Sequence, residues 1–148
     1  MEGIFIYPRP FLRHVRYEEL GHTADVGIRA YGATLEEMFG NAAAGMFSLI
    51  ADPEKVRPVG EVEVRVQGDD LEELMVNWLQ ELIFLHETQH LLLCSFDVSL
   101  SGLNLRAYAR GERIDKRRHE LRTVVKAVTY HNIKVDPKKG VAEIIFDV

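Results

Sequence analysis

The chain ends in Val141-Ala142-Glu143-Ile144-Ile145-Phe146-Asp147-Val148, the stretch around which the fold is organised. It alternates, then becomes continuously apolar, and contains no Gly or Pro, which predicts a buried β-strand. An aspartate near the end of such a strand is destabilising unless its charge is compensated. The carboxylate of Val148 adds a second negative charge beside Asp147. We therefore expect a bound cation or a paired lysine there, with Asp25 supplying a third oxygen ligand.

The composition is that of one globular domain. The 148 residues are 47% hydrophobic and 28% charged, enough for a core without disulfides. The single Cys94 and the lack of any apolar run near the roughly 18 residues that span a bilayer predict a cytoplasmic protein with no membrane contact. The net charge is −5, and residues 1–74 hold 7 basic and 14 acidic side chains. This acidic half disfavours a dedicated nucleic-acid binder and favours metal binding or a basic protein partner.

The spacing of apolar residues predicts about seven strands and two helices. The helices begin at capping boxes at residues 34–37 and 70–73, and apolar residues cover most of each helix. Both helices must then be buried on two sides, with Trp78 and Phe84 in the core. We therefore predict an α+β fold, a three-layer β/α/β sandwich with two buried helices between mostly antiparallel sheets. The predicted strands span residues 15–20, 27–31, 59–67, 91–100, 103–110, 122–135 and 141–148.

The segment His86-Glu87-Thr88-Gln89-His90 matches the H-E-x-x-H motif of zinc proteases. In those enzymes the two histidines share one helix face and the glutamate activates a water. Here the segment falls at the end of the second helix, and strands follow where a third ligand would be needed. We therefore favour a polar helix C-terminus, where histidine suits the helix dipole. A small zinc hydrolase acting through His86 and His90 remains an alternative hypothesis for the function, ranked below the two that are given later in this section.

Other candidate segments each have two interpretations. Residues 22–27 either present Asp25 to a cation or form a turn in which Asp25 bonds backbone amides. Lys126 is either a solvated lysine on a sheet face or one held over an acidic site. Cys94 is either a nucleophile or an inert core cysteine, and its position in an apolar run favours the second. The charged segment 110–122 is either a solvated loop or a contact patch for RNA or a protein.

Several motifs occur in an order that is far more specific than any one of them. They are His22-Thr23-Ala24-Asp25-Val26-Gly27, Ala30-Tyr31-Gly32 with Leu35-Glu36-Glu37, Trp78-Leu79-Gln80-Glu81-Leu82, Gly111-Glu112, Val125-Lys126-Ala127-Val128-Thr129-Tyr130-His131 and Ile145-Phe146-Asp147-Val148. Together they resemble the archease family. The resemblance covers about residue 16 to the end. It implies a single archease-like domain at 16–148, preceded by an N-terminal extension at 1–15.

The resemblance implies a protein that is not itself an enzyme and has no catalytic residues. Archeases activate an RtcB-type RNA ligase in tRNA splicing and RNA repair, by promoting ligase guanylylation and multiple turnover. They are also linked to tRNA methyltransferases as chaperone-like modulators, which is the alternative function. The family's strand lysine corresponds to Lys126, and His22 and His131 lie in matched motifs and are expected to face the partner. Whether RNA is contacted directly is left open.

The resemblance also implies a bound divalent cation, calcium, with magnesium as the alternative. The family's ligands are a loop aspartate, a penultimate aspartate and the terminal residue, which correspond to Asp25, Asp147 and Val148. A hard cation takes about six to eight oxygen ligands, so two side-chain carboxylates and a chain end predict an open, partly hydrated site. Such a site could share its metal with a phosphate or carboxylate of a partner.

Overall fold

The structure is a computed structural model that describes residues 15–21 and 25–148. Within these ranges the chain forms seven strands and two helices, as predicted, with a short 3-10 turn at Pro53–Lys55. Neither helix in the described ranges is long and apolar enough to cross a membrane. The elements are β1 (Tyr17–Gly21), β2 (Val26–Tyr31), α1 (Leu35–Ile50), β3 (Gly60–Gln67), α2 (Leu71–Gln89), β4 (Leu91–Ser101), β5 (Asn104–Arg113), β6 (Ala127–Asp136) and β7 (Val141–Asp147).

The strands form two antiparallel sheets with the helices between them. The first sheet has the strand order β1-β2-β7-β6, and the second has the order β3-β5-β4. The C-terminal strand β7 is central in the first sheet, because it pairs with β2 on one side and β6 on the other. Helix α1 contacts β2 and β4, and α2 contacts β6 and β3, so each helix touches both sheets. The predicted three-layer β/α/β sandwich is therefore confirmed.

The core lies where the inner sheet faces meet the helices. Alternate residues of β7, namely Ala142, Ile144 and Phe146, are fully buried, as the period of a half-buried strand requires. Helix α1 approaches the first sheet closely at Gly45, where a Cβ atom would lie 3.1 Å from the Ile28 side chain. The contact is tight for any larger residue, which explains the small residues on this face of α1.

Helix α2 packs against both sheets but leaves one side uncovered. Trp78 is completely buried, and its indole nitrogen donates a 2.9 Å hydrogen bond to the Phe39 carbonyl of α1, so its predicted core position is confirmed. The prediction for Phe84 is wrong, because this side chain is 54% exposed. The outward side of α2 lies between the edge strands β3 and β6, where neither sheet covers it. The apolar pattern alone does not reveal that opening.

The segment before β6 also differs from the prediction. The predicted strand at 122–135 begins only at Ala127. The backbone N–H groups of Arg122 and Thr123 donate to the carbonyls of Ile50 and Leu49, at 2.8 and 3.1 Å. The last carbonyls of a helix have no partner within it, so this segment caps the end of α1 instead of extending the sheet.

The charged segment after β5 is tied to the protein through Glu112. Its carboxylate accepts hydrogen bonds from the Arg57 N–H at 2.7 Å, from His119 Nε2 at 3.0 Å and from Arg118. His119 is 4% exposed, and its Nδ1 accepts from the Asp115 N–H at 2.9 Å, which leaves Nε2 as the donor. Burial alone would raise the pKa of Glu112, but the donated hydrogen bonds lower it overall. The interpretation of residues 110–122 as a fully solvated loop is therefore wrong for the part that contains Glu112, Arg118 and His119.

Candidate metal and partner site

The pairing of β2 with β7 brings together two aspartates from opposite ends of the sequence. Val26 lies opposite Phe146 in this antiparallel pair. Continuing the register by one residue sets Asp25 beside Asp147. Residues directly opposite each other have Cβ atoms about 4.5–5.5 Å apart. By strand alternation both positions belong to the outer face of the first sheet, away from the helices.

Strand β6 begins on the other side of Asp147. Ala127 is the register partner of Asp147, and the Lys126 N–H donates to the Asp147 carbonyl at 2.8 Å. Val148 follows directly and packs partly against the core. We call Asp25, Asp147 and Val148 the acidic corner. The structure thus brings all three predicted metal ligands and the backbone of Lys126 to one end of the first sheet.

The charges of the acidic corner have no basic partner among the described residues. Asp147 and Lys126 are exposed, and Asp25 is half-buried. The ion pairs found in residues 15–21 and 25–148 include neither aspartate, nor Lys126. Like charges directly opposite each other on a sheet are destabilising. The paired lysine expected as an alternative to a cation is therefore absent from this part of the chain.

Thr129 adds an oxygen that the sequence analysis missed. Its Oγ1 atom is buried and has no hydrogen-bond partner among the described residues. Thr129 pairs with Ile145, which sets it on the same sheet face as Asp147, one row further along β6. An unpartnered buried hydroxyl destabilises a protein by about 1–3 kcal/mol. Threonine is ordinary in a strand, so no sequence signal distinguishes this one.

The oxygen donors at the acidic corner fit a hard cation. Within the described residues no three His, Cys, Asp or Glu side chains lie close enough together to hold a metal alone. The corner offers two carboxylates and the main-chain oxygens of Val148, with the Thr129 hydroxyl nearby. Calcium takes about six to eight oxygens, so water or a partner would have to supply the rest. This donor set suits an open, hydrated calcium or magnesium site and lacks the nitrogen and sulfur ligands typical of structural zinc.

An ionic network lies on the outer face of the first sheet, four residues along β2 and β7 from this corner. Arg29 donates to its cross-strand partner Glu143 at 2.8 Å and to Glu18 at 3.1 Å. The hydrogen bond to Glu143 is the main cause that raises the pKa of Arg29. The hydroxyl of Tyr31 donates to Glu18 and, together with Arg29, lowers the pKa of that carboxyl. The network links β1, β2 and β7 and so supports the register that aligns Asp25 with Asp147.

The H-E-x-x-H segment lies at a helix end, as predicted. His90 has φ 57° and ψ 41°, the left-handed conformation, and terminates α2. The Nδ1 atom of His86 lies 2.8 Å from the Leu91 carbonyl, and its ring packs edge-on against Phe47. Because His90 lies beyond the helix, the two histidines do not share the helix face that the zinc motif requires.

The remaining candidate residues lie outside the acidic corner or outside the described residues. His131 is exposed on a bulge of β6, where the register shifts between Thr129 and Lys134. His22 lies outside the residues that the structure describes, so its predicted role stays a prediction. Cys94 is half-buried, and burial raises the pKa of its thiol, which disfavours the reactive thiolate.

The fold and the corner define a small β/α/β sandwich protein with an open acidic site at one end of a sheet. The chain matches the archease protein family over residues 17–148 and belongs to that family. An archease from Methanopyrus kandleri is 43% identical over 138 residues, which cover 89% of this chain and 99% of that protein. The solution structure of a Methanobacterium thermoautotrophicum protein is 37% identical, with a TM-score of 0.75, over 90% of this chain and 99% of that one. The crystal structure of a Thermotoga maritima archease, described as a possible chaperone, shares the fold at 20% identity and a TM-score of 0.60, over 88% of this chain and 96% of that one.

Proposed function

We propose that this archease is a metal-dependent activator of an RtcB-type RNA ligase in tRNA splicing and RNA repair. It promotes guanylylation and multiple turnover of the ligase and contributes no catalytic residue of its own. The observation that carries the proposal is the β2–β7 register, which aligns Asp25 with Asp147 beside Val148. Membership of the archease family supports the same function.

The proposed role of the acidic corner is to hold one calcium ion, with magnesium as the alternative. The ion would compensate the repulsion between the two neighbouring carboxylates. Asp25, Asp147 and the main-chain oxygens of Val148 would hold it from one side. Such a small protein donor set leaves coordination positions for water or for an oxygen of the ligase or its nucleotide.

Lys126 has a separate role in this proposal. Its backbone is fixed to Asp147, and its side chain is exposed beside the corner. A lysine ammonium is a mobile point charge that suits a phosphate or carboxylate of a partner. We assign Lys126 to contact with the partner and not to neutralisation of the corner.

A chaperone-like modulator of a tRNA methyltransferase is the second candidate. The description of the Thermotoga maritima relative as a possible chaperone favours it. Such a role needs only an exposed surface that binds a folding partner, and it makes no demand on the acidic corner. The two functions therefore differ in whether Asp147 is required.

A guanylylation assay tests the proposal. Purified ligase is incubated with GTP, with and without this protein, and GMP loading and the number of turnovers are measured in calcium and in chelator. We expect stimulation that needs the metal and is lost in Asp147→Asn, while Asp97→Asn, an exposed change on β4, retains it. Equal stimulation by wild type and Asp147→Asn would contradict a metal-dependent role for the corner, and no stimulation by wild type would favour the methyltransferase function.

A further inference from the structure

Phe84 opens onto a shallow groove on the uncovered side of α2. The groove has a volume of about 480 Å³ and lies between α2 and the edge strand β3. Phe84 is 54% exposed, although it belongs to a helix that is otherwise rich in buried apolar residues. We call this the α2 groove. Its lining residues are Val66, Gln67, Asn77, Gln80, Glu81, Phe84 and Glu87.

The charge of the α2 groove is purely negative. Glu81 and Glu87 each lie three residues from Phe84, so both line the groove on the same side of the helix as the ring. No lysine, arginine or histidine lines the groove. Neither glutamate joins an ion pair with any residue in the described ranges. A groove with two free carboxylates repels RNA phosphates and attracts a cationic side chain.

Backbone groups of the two edge strands beside the groove already form hydrogen bonds with side chains of α2, which limits how a partner can bind. Gln80 accepts from the Val128 N–H of β6 at 3.1 Å, and Asn77 donates to the Gln67 carbonyl of β3 at 2.7 Å. These side chains occupy backbone groups that an added strand would need. A partner that added a strand to either edge would have to displace these bonds.

A chain of contacts links the α2 groove to the acidic corner through the edge strand β6. Gln80 lines the groove and bonds Val128, and the preceding residue, Ala127, is the register partner of Asp147.

We propose that the α2 groove binds a basic segment of a protein partner, with an arginine stacked on Phe84 between Glu81 and Glu87. Guanidinium groups stack on aromatic faces and pair with carboxylates, so one arginine uses both features of the groove. Taking that partner to be the RNA ligase rests on the proposed function. The partner segment is defined only by its positive charge and by an apolar residue next to the arginine, which covers the rest of the Phe84 ring.

Titration calorimetry with purified ligase in saturating calcium tests the proposal. The variants are Phe84→Ala and the double charge reversal Glu81→Lys with Glu87→Lys. The control is Glu54→Lys with Asp97→Lys, which changes the net charge equally at exposed sites outside the groove. We expect each groove variant to bind about tenfold more weakly and the control to stay within about twofold, since central anchors dominate interfaces. The charge reversal should also weaken the salt dependence of binding.

Several outcomes would overturn the proposal. Unchanged ligase affinity in both groove variants would do so, as would no binding by wild type. Loss of a self-association of the ligase-free protein in Phe84→Ala, seen by sedimentation, would assign the groove to a second copy of this chain. If the wild type bound the ligase but did not stimulate its guanylylation, the proposed function would be refuted. The proposal for the groove would then still stand or fall by the ligase affinities of the groove variants. Circular dichroism melts of each variant exclude misfolding as the cause.

Discussion

Replacing Trp78 by alanine tests the three-layer architecture. Trp78 is fully buried, stacks edge-on with Phe96 of the second sheet at 6.3 Å, and donates a hydrogen bond to Phe39 of α1. Large-to-small substitution of a buried tryptophan costs about 3–5 kcal/mol, and the lost hydrogen bond is part of that sum. Domains of this size are stable by only about 5–15 kcal/mol, so Trp78→Ala should fold marginally or not at all.

Phe84→Ala on the same helix is the matched control. Full burial of a phenylalanine contributes about 1.5–3 kcal/mol, and a ring that is 54% exposed retains under half of it, about 1 kcal/mol. Urea unfolding followed by far-UV circular dichroism suits both variants, because Trp78 is the only tryptophan available for fluorescence. A loss of under about 1 kcal/mol in Trp78→Ala, or equal losses in the two variants, would refute burial of α2 between the sheets.

Three further predictions concern single side chains. The folded-state pKa of Glu112 is lowered from 4.5, so its contribution to stability is complete above pH 4.5 and is lost as the pH falls through the folded value. Glu112→Gln should reduce the free energy of unfolding at pH 7 by about 1–3 kcal/mol. It should also make this free energy fall less steeply as the pH is lowered, and urea unfolding at pH 7 and at acidic pH would measure both effects. Thr129→Val should stabilise the metal-free protein while Thr129→Ser leaves it nearly unchanged; a lower melting temperature for the valine variant would mean that the hydroxyl has a partner. His86→Ala and His90→Gly should leave ligase activation intact and shift stability by no more than about 1 kcal/mol; stoichiometric zinc in wild type that is lost in both variants would instead support the hydrolase hypothesis.

Local signals in the sequence predict most of the elements. The Thr34 hydroxyl and the Asp70 carboxylate accept from the N–H groups of Glu37 and Glu73, as the capping boxes require. The alternation in β7 likewise predicts its three fully buried residues, Ala142, Ile144 and Phe146. These features depend on residues a few positions apart, where periodicity and capping chemistry act directly.

The errors arise where tertiary contacts outweigh the local pattern. The apolar helix pattern predicts burial of Phe84, but only the strand order shows that α2 faces outward between β3 and β6. Residues 122–126 resemble a strand, yet Arg122 and Thr123 cap α1. The approach of Asp25 to Asp147 follows from the β2–β7 pairing, which the local sequence does not specify. The sequence analysis proposed these two aspartates from the acidic end of an apolar strand and from the family resemblance, and the register supplies a physical reason for pairing them.

Calcium titration by calorimetry tests the acidic corner most directly. The wild type is compared with Asp25→Asn, Asp147→Asn and the control Asp97→Asn. We expect wild type and control to bind one calcium ion and to melt at higher temperature as calcium rises, since a ligand that binds only the folded state stabilises it by mass action. Both corner variants should bind at least about tenfold more weakly while remaining folded, because each loses a charged oxygen ligand. Unchanged calcium affinity in Asp147→Asn would contradict the account, since the end of β7 would then be only the end of a strand.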